Sequence, residues 1–391
     1  MTVCVGRRGI RRRCWRGAAA VCAAAMVASC GAAGANGGPD RSTAAVAGPA
    51  AQASGSPPPS PVLGYQLNGV AAVSAARAWA AGTTNQVTLH LIRWNGKSWQ
   101  PVPTPGGGYF NGVAAVSAAD AWAVGSGPGN KALIERWNGT AWAPVATPGT
   151  GGPAVLHAVA AVSSGDAWAV GGTNFTGKTV ILRWDGIAWR RVSSPTPHGI
   201  SSQLDGVAAT SATNAWAVGY TFTTTGQIPL IEHWNGIAWR QVPGPALPAG
   251  GVLKGIAATS VTNAWAVGAG RGALIEHWNG TSWTLAPAPA LTTGSLAGIT
   301  ALSAASAWAV GTTVDKPHRL ATLIERWNGT SWARVPSPGT ALLLGVTATS
   351  ARNAWAVGYS SGAATGIIEH WNGSSWTCLP ANGPAGPCPP D

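Results

Sequence analysis

The sequence predicts an all-β fold, a seven-bladed β-propeller built from four-stranded antiparallel blades. Three observations lead to this prediction. The motif A-W-A-V-G, or a one-residue variant of it, is followed after about a dozen residues by W-N-G-x-x-W or W-D-G-x-x-W, and this unit occurs seven times. The units recur every 43 to 49 residues, and a repeat of this length with several short strands is typical of a propeller blade. The motif contains 21 of the 22 tryptophans and leaves only Trp15 outside.

Each repeat supplies three tryptophans. The first members are Trp79, Trp122, Trp168, Trp216, Trp265, Trp308 and Trp355. The second members are Trp94, Trp137, Trp184, Trp234, Trp278, Trp327 and Trp371. The third members are Trp99, Trp142, Trp189, Trp239, Trp283, Trp332 and Trp376. Because the same positions return in every repeat, we interpret the indoles as packing groups between blades, with the neighbouring alanines leaving room for the rings.

Four strand-like segments divide each repeat. Strand one is exemplified by Gly112 to Ser117, strand two by Ala121 to Gly125, strand three by Leu133 to Trp137 and strand four by Trp332 to Pro336. Short apolar runs separated by Gly, Pro, Asn and Ser are the pattern expected of strands joined by turns.

The Asn-Gly pair between strands three and four predicts a two-residue hairpin turn, since both residues tolerate a positive φ. With that turn, Trp137 would lie opposite Thr140, and Trp142 would be its diagonal neighbour; a longer loop would change this register. The third repeat has Asp185 and Gly186 at the turn. Ring closure is expected to use either Val62 to Leu67 as an added strand or a disulfide near the C-terminus.

The repeats resemble those of Asp-box (BNR-type) propellers in a divergent, kelch-like form. The G-x-S/T-W end of that box is matched by Gly96 to Trp99, Gly280 to Trp283 and Gly329 to Trp332, whereas the aspartate of the box is replaced by tryptophan. The Gly-Gly doublet of kelch repeats and the Gly-His start of WD40 repeats are missing. The resemblance covers about residues 63 to 380 and implies the propeller fold. Its relatives include sialidase-like domains and a family of photosynthetic assembly factors, so it implies no single activity.

The N-terminus predicts export from a bacterial cell. Six arginines precede an apolar run from Gly17 to Val27 that is too short to span a bilayer. The run ends in V-A-S-C-G, which resembles a lipobox and implies lipidation of Cys30; an ordinary signal peptide is the alternative. We therefore expect a signal at 1–30, a disordered linker at 31–62, the propeller at 63–380 and a Pro/Gly-rich tail at 381–391. The protein would be lipid-anchored outside the plasma membrane, after Sec or twin-arginine export.

Two cysteines remain after the signal and the lipidation site. Cys378 and Cys388 are nine residues apart near the C-terminus, and an oxidising compartment favours their pairing as a disulfide. Such a bond would attach the tail to the last strand.

The loops divide into two classes with different sequence behaviour. Loops joining strands one to two and three to four are near copies throughout, and we call the face that carries them the uniform face. Loops joining strands two to three and four to one differ in length and composition; they form the variable face, which is the predicted ligand-binding surface. Its candidate residues are Tyr109, Phe110, His157, Asn174, Phe175, His198, Asp205, Tyr220, Phe222, Lys254, Arg271, Asp315, Lys316, His318, Arg319 and Tyr359.

The predicted function is that of a non-catalytic binding or scaffold module. The aromatic and cationic candidates suit a surface protein or a cell-wall glycan, and we expect a monomer without cofactor or metal. Nucleic acid is disfavoured, because the net charge of +12 falls to +6 beyond the N-terminal arginines and the remaining basic residues are scattered. The alternative is a glycan-active hydrolase or lyase of the sialidase type. That reading lacks convergent acids, since Asp205 and Asp315 are isolated and five glutamates occupy a repeat position that also accepts Ile92 and Leu182.

The residue before each second tryptophan is always basic. Three of these residues are histidines, which could suggest a metal, but arginine fills the position in the other repeats and arginine does not bind zinc. We interpret this position as a packed stem with a polar tip. It comprises Arg93, Arg136, Arg183, His233, His277, Arg326 and His370.

Overall fold

The computed structural model describes residues 65–84, 90–105, 107–195, 199–287, 293–316, 319–360 and 365–380. These residues form twenty-eight strands in seven four-stranded antiparallel sheets, each made from four consecutive strands. The predicted seven-bladed β-propeller is confirmed. All of the strands fall within one compact unit, residues 59–391.

The blades follow one another in chain order, each with strands one to four. Blade one contains β1 Tyr65–Ser74, β2 Arg77–Thr84, β3 His90–Trp94 and β4 Trp99–Val102. Blade two contains β5 Tyr109–Ser117, β6 Asp120–Gly127, β7 Lys131–Trp137 and β8 Trp142–Pro144. Blade three contains β9 Ala154–Ser163, β10 Asp166–Thr173, β11 Thr179–Trp184 and β12 Trp189–Val192. Blades four and five contain β13 Ser201–Ser211, β14 Asn214–Thr223, β15 Gly226–Trp234, β16 Trp239–Gln241; β17 Val252–Ser260, β18 Asn263–Ala269, β19 Ala273–Trp278 and β20 Trp283–Leu285. Blades six and seven contain β21 Gly294–Ser303, β22 Ser306–Lys316, β23 Arg319–Trp327, β24 Trp332–Arg334; β25 Ala341–Ser350, β26 Asn353–Ser360, β27 Gly366–Trp371 and β28 Trp376–Pro380.

The tryptophans join each blade to the next. Trp122 on strand two of blade two lies 5.0 Å from Trp184 and 5.1 Å from Trp189 of blade three, measured between ring centroids. Ala167 and Ala169 of blade three belong to the same buried cluster, so their small side chains leave space for the incoming ring. All seven strand-two indoles are buried. The predicted packing role of the tryptophans is confirmed.

The ring closes by the same contact that joins the other blades. Trp355 of blade seven lies 5.0 Å from Trp94 and 5.3 Å from Trp99 of blade one. Residues 65 to 67 belong to β1, the first strand of blade one, and pair with β2. The expectation of an added closing strand is therefore wrong, because seven complete blades leave no sheet with a missing strand.

The hairpin between strands three and four is longer than predicted. Trp137 lies directly opposite Trp142, so the loop has four residues rather than two. Asn138 serves as an acceptor: its Oδ1 receives the backbone N–H groups of Thr140 and Ala141 at 2.9 Å, and Gly139 supplies a φ of +100°. Because the loop is longer by an even number of residues, both indoles stay on one face of the sheet.

A bulge in strand one explains the glycine that ends A-W-A-V-G. The register between β5 and β6 shifts between Phe110 and Gly112, and the backbone there approaches Gly125 closely. A Cβ added to Gly125 would meet the carbonyl oxygen of Tyr109 at 1.9 Å. Equivalent glycines of the other blades meet carbonyl oxygens of strand one at 1.9 to 2.1 Å.

Gly125→Ala is expected to destabilise the protein by about 1–3 kcal/mol, because the backbone must move to admit the methyl group. Urea denaturation followed by tryptophan fluorescence measures the change. Gly149→Ala is the matched control, since no atom lies within 4 Å of the position its Cβ would take. Equal losses for the two variants would contradict the close-packing explanation.

The predictions for the signal, Cys30, the linker and the tail fall outside the described residues. Cys378 on β28 is disulfide-bonded, and its partner also lies outside the described residues, so the pairing with Cys388 stays a prediction. In the described part of the chain, no helix is long and apolar enough to cross a membrane.

Candidate ligand-binding face

The uniform face is occupied by contacts that hold each blade together. Trp137 donates its indole N–H to the carbonyl oxygen of Ala118 in the loop between strands one and two, at 3.1 Å. The hairpin glycine of the same blade, Gly139, packs against Ala119. The second tryptophan of every other blade makes an equivalent bond to its own loop.

The basic position before each second tryptophan packs on the strand-two indole of its own blade. Arg136 lies 4.7 Å from the Trp122 ring centroid and forms an ion pair with Asp120 at 2.9 Å. His233 stacks on Trp216 at 4.1 Å, and its Nε2 lies 2.8 Å from Asn214. Burial lowers the pKa of this histidine, as it does for its equivalents in blades five and seven. These contacts agree with the predicted structural role.

On the variable face, each blade contributes one residue near the propeller axis that is not paired with strand two. The bulge in strand one leaves one residue unpaired with strand two, immediately before the glycine of G-V-A-A or its equivalent. Going around the ring, these residues are Asn68, Asn111, His157, Asp205, Lys254, Ala297 and Leu344. The five polar ones line a cavity of about 160 Å³ on the axis. The ring is therefore polar across blades one to five.

Hydrogen bonds from two of these polar residues join neighbouring blades. The Asn68 amide donates to the carbonyl oxygen of Phe110 at 2.9 Å, and Asn111 donates to that of Leu156 at 2.9 Å. Sequence reasoning missed both asparagines. The signal that could have found them is their position, because the residue before the strand-one glycine changes from repeat to repeat while its neighbours hardly vary.

An ion pair forms the centre of the site. Lys254 donates to Asp205 at 2.8 Å, and its ammonium lies 5.1 Å from the centroid of the Tyr220 ring. Gln203 also donates to Asp205. The Asp205 side chain is 8% exposed and that of Lys254 is 39% exposed, so the cation is the more accessible partner. Burial, followed by the charge of Asp205, raises the pKa of the Tyr220 hydroxyl, which therefore stays protonated as a hydrogen-bond donor.

His157 reaches the same cluster from blade three. Burial lowers the pKa of its imidazole; the charge of Asp205 opposes that shift and Lys254 adds to it. The ring is consequently neutral at pH 7 and can donate one hydrogen bond and accept another. Neutral His157, the Tyr220 hydroxyl and the ion pair together offer a polar ligand both donors and acceptors.

An aromatic-edged pocket adjoins this cluster between blades three and four. We call it the inner pocket; its volume is about 440 Å³, and it is bordered by His157, Asn174, Phe175, Gln203 and Phe222. Phe175 is 80% exposed and Phe222 is 42% exposed, which is unusual for phenylalanine. The structure thus brings seven of the predicted residues into one sector: His157, Asn174, Phe175, Asp205, Tyr220, Phe222 and Lys254.

The other predicted residues lie apart from this sector or outside the described chain. Phe110 is fully buried among Trp79, Trp137 and Trp142, where a ligand on the face cannot touch it. Asp315 pairs with Arg334 at 3.1 Å in blade six, and Arg271 borders a separate apolar cavity of about 420 Å³ in blade five. Tyr109 and Tyr359 are half-buried on strands of blades two and seven, respectively. Lys316 ends β22 and Arg319 begins β23, whereas His198 and His318 lie outside the described residues.

The acidic residues do not converge on a reaction centre in the described part of the protein. Glu135, Glu232, Glu276, Glu325 and Glu369 are fully buried, one in each of five blades. Burial raises the pKa of the last four to about 7. Ser194 of blade three donates to Glu232 of blade four at 2.9 Å, and Ser337 of blade six donates to Glu369 of blade seven at 2.7 Å. Because this contact recurs at two blade junctions, we infer that it helps to join neighbouring blades.

Histidine, cysteine and acidic side chains form no group of three able to hold a metal ion within the described ranges.

Known structures share the propeller fold at low sequence identity. YCF48 from Cyanidioschyzon merolae is 15% identical, with a TM-score of 0.54 over 79% of this chain and 97% of that one. A structure described as YCF48 bound to D1 peptide is 14% identical, with a TM-score of 0.53 over 79% of this chain and 92% of that one. The Aleuria aurantia lectin in complex with Fucalpha1-6GlcNAc is 14% identical, covers 81% of this chain and 97% of that one, and has a TM-score of 0.46, too low to support a shared binding mode. No protein-family model and no curated protein matches the sequence. At these identities the similarity shows the fold.

Proposed function

We propose that this protein is a non-catalytic binding module whose ligand occupies the variable face over blades three to five. The observation that carries the proposal is the gathering of His157, Asp205 and Lys254 at the axis, with the Tyr220 ring 5.1 Å from the Lys254 ammonium. His157, Asp205 and Lys254 each occur at the strand-one bulge of a single blade, whereas the residues common to all repeats are used to pack blades. A rigid ring that presents one individual polar sector suits recognition of a partner.

A structural relative supports a binding role. The structure described as YCF48 bound to D1 peptide is a propeller with a peptide ligand. For the present protein we propose a partner at the bacterial cell surface, reached by export and a lipid anchor at Cys30. That placement rests on the N-terminal sequence alone.

Tyr220→Ala combined with Lys254→Ala is expected to lower partner capture at least 10-fold, because it removes the exposed cation and the aromatic ring beneath it. Cross-linking on intact cells, followed by purification and mass spectrometry, measures the capture. The matched control replaces Ile187 and Ile237 by threonine. Both isoleucines are more than 80% exposed on the uniform face, and threonine occupies the same loop position in blades two, five and six.

Two outcomes would overturn the proposal. Equal loss of capture in the control would place binding on the uniform face. Turnover of chromogenic glycosides that Asp205→Asn abolishes would show a hydrolase instead.

A further inference from the structure

A second groove lies beside the inner pocket, between the outer parts of blades three and four. We call it the outer groove; its volume is about 490 Å³ and it is lined by residues 176–179, 191–195 and 199–202. A backbone hydrogen bond of 2.7 Å from Ser202 to Gly177 joins the two blades where the inner pocket and the outer groove meet. Thr176, Gly177, Ile200, Ser201 and Ser202 border both, so together they form a radial path from the axis towards the rim.

The lining of the outer groove is cationic and rich in hydroxyl groups. Lys178 and Arg191 are exposed there, and none of the described residues that line it is acidic. Thr176, Ser193 and Ser201 supply accessible hydroxyl groups, whereas Thr179 and Ser202 are buried and bond to Ser194 and Thr221. Glu232 lies beneath Ser194, fully buried, and both of its oxygens accept from that hydroxyl at 2.9 Å.

Close packing positions the Arg191 side chain. A Cβ on Gly151 would lie 2.9 Å from its Nη1, and Gly151 has a φ of +81°. Glycine is therefore the residue that lets the guanidinium lie against this loop.

The charge distribution over the rest of the described surface also favours an anionic ligand. Each described aspartate is in an ion pair, and the pairs are Asp120–Arg136, Asp166–Arg183, Asp185–Arg190, Asp205–Lys254 and Asp315–Arg334. All five described glutamates are buried. The acids are thus neutralised or hidden, and the surface presents cations such as Lys178 and Arg191 to a ligand.

Building on the proposed function, we propose that the ligand is an acidic polysaccharide, lying along the path from the inner pocket to the outer groove. Sugar rings would pack on the exposed faces of Phe175 and Phe222. Carboxylate or phosphate groups of the polymer would bind Lys178 and Arg191, with serine and threonine hydroxyls bonding to the sugar oxygens. A row of hydroxyls and cations, with aromatic rings at one end, matches a charged sugar chain better than the apolar anchors of a protein interface.

The test is binding of the purified full chain to defined polymers by isothermal titration calorimetry. Polygalacturonate supplies carboxylates, poly(glycerol phosphate) supplies phosphates, dextran is the neutral polymer and poly-glutamate is the acidic peptide. We expect binding to at least one of the first two, with dextran and poly-glutamate at least 10-fold weaker. Lys178→Glu combined with Arg191→Glu should lower the affinity at least 10-fold. Arg240→Glu combined with Arg352→Glu is the control of equal charge change, at exposed positions outside the groove.

The possible results distinguish failure of this inference from failure of the proposed function. Preference for the phosphate or the carboxylate polymer identifies the anionic group and supports the inference. Equal loss in both charge-reversal variants, or equal binding of poly-glutamate, overturns it by showing nonspecific attraction of acids. Failure to bind either acidic polysaccharide, while cells still yield a cross-linked protein that depends on Tyr220 and Lys254, overturns it and leaves the proposed function standing. If neither polymer nor partner depends on any variable-face residue, both fail.

Discussion

Trp355→Ala is expected to lower the free energy of unfolding by about 3–5 kcal/mol and to open the ring between blades seven and one. The indole is fully buried and touches Trp94 and Trp99 of blade one. The chain does not run directly from blade seven to blade one, and among the described residues the junction is held by side-chain contacts and by packing of β1 against β25 and β26. Removal of the indole leaves a cavity between blades seven and one, which the packed blades cannot fill.

Trp168→Ala is the matched control for ring opening. Trp168 makes the same two contacts with Trp234 and Trp239, but the chain runs directly from blade three to blade four. Both variants should lose similar stability in urea denaturation. Small-angle X-ray scattering should show an increased radius of gyration only for Trp355→Ala; an unchanged radius would mean that the remaining contacts suffice to keep the ring closed.

The second large effect concerns the buried glutamates, which should make the protein less stable at pH 8 than at pH 5. Burial raises the pKa of Glu232, Glu276, Glu325 and Glu369 to about 7, from an ordinary value of 4.5. Between these two values the folded state holds protons that the unfolded state has released. Stability therefore falls as the pH rises from about 4.5 to 7, and the penalty is complete above the folded pKa. Each group contributes roughly 1–3 kcal/mol.

Glu276→Leu should raise the melting temperature at pH 8 and reduce its fall between pH 5 and pH 8. Both carboxylate oxygens of Glu276 lack a hydrogen-bond partner among the described residues, since Gly244 lies where blade three has Ser194. The site accepts aliphatic groups, because Ile92 and Leu182 fill the same position in blades one and three.

Glu232→Leu is the comparison, with a smaller expected gain at pH 8 because Ser194 loses its acceptor. Calorimetry across the pH range measures both variants. An unchanged slope for Glu276→Leu would show that Glu276 is ionised throughout.

The candidate site could be foreseen only in part. The contrast between uniform and variable loops indicated which face to examine, and seven of the candidate residues meet there. Phe110 was indistinguishable in sequence from an exposed aromatic, yet the bulge at Asn111 leaves Phe110 in the packing between blades. Asn68 and Asn111 were missed because an asparagine before a glycine also fits an ordinary turn.

The amino-acid sequence by itself determined the number of blades, the four strands of each and the packing role of the indoles. Repetition makes this possible, because seven copies of one local pattern specify the same unit each time and leave little else for those residues to do. Only the tertiary structure decided the hairpin register, the closure by Trp355 and the meeting of His157, Asp205 and Lys254. Those three residues are 48 and 49 positions apart in sequence. They meet because each bulge turns one side chain of an innermost strand towards the axis, where glycines such as Gly112 and Gly255 let neighbouring backbones approach.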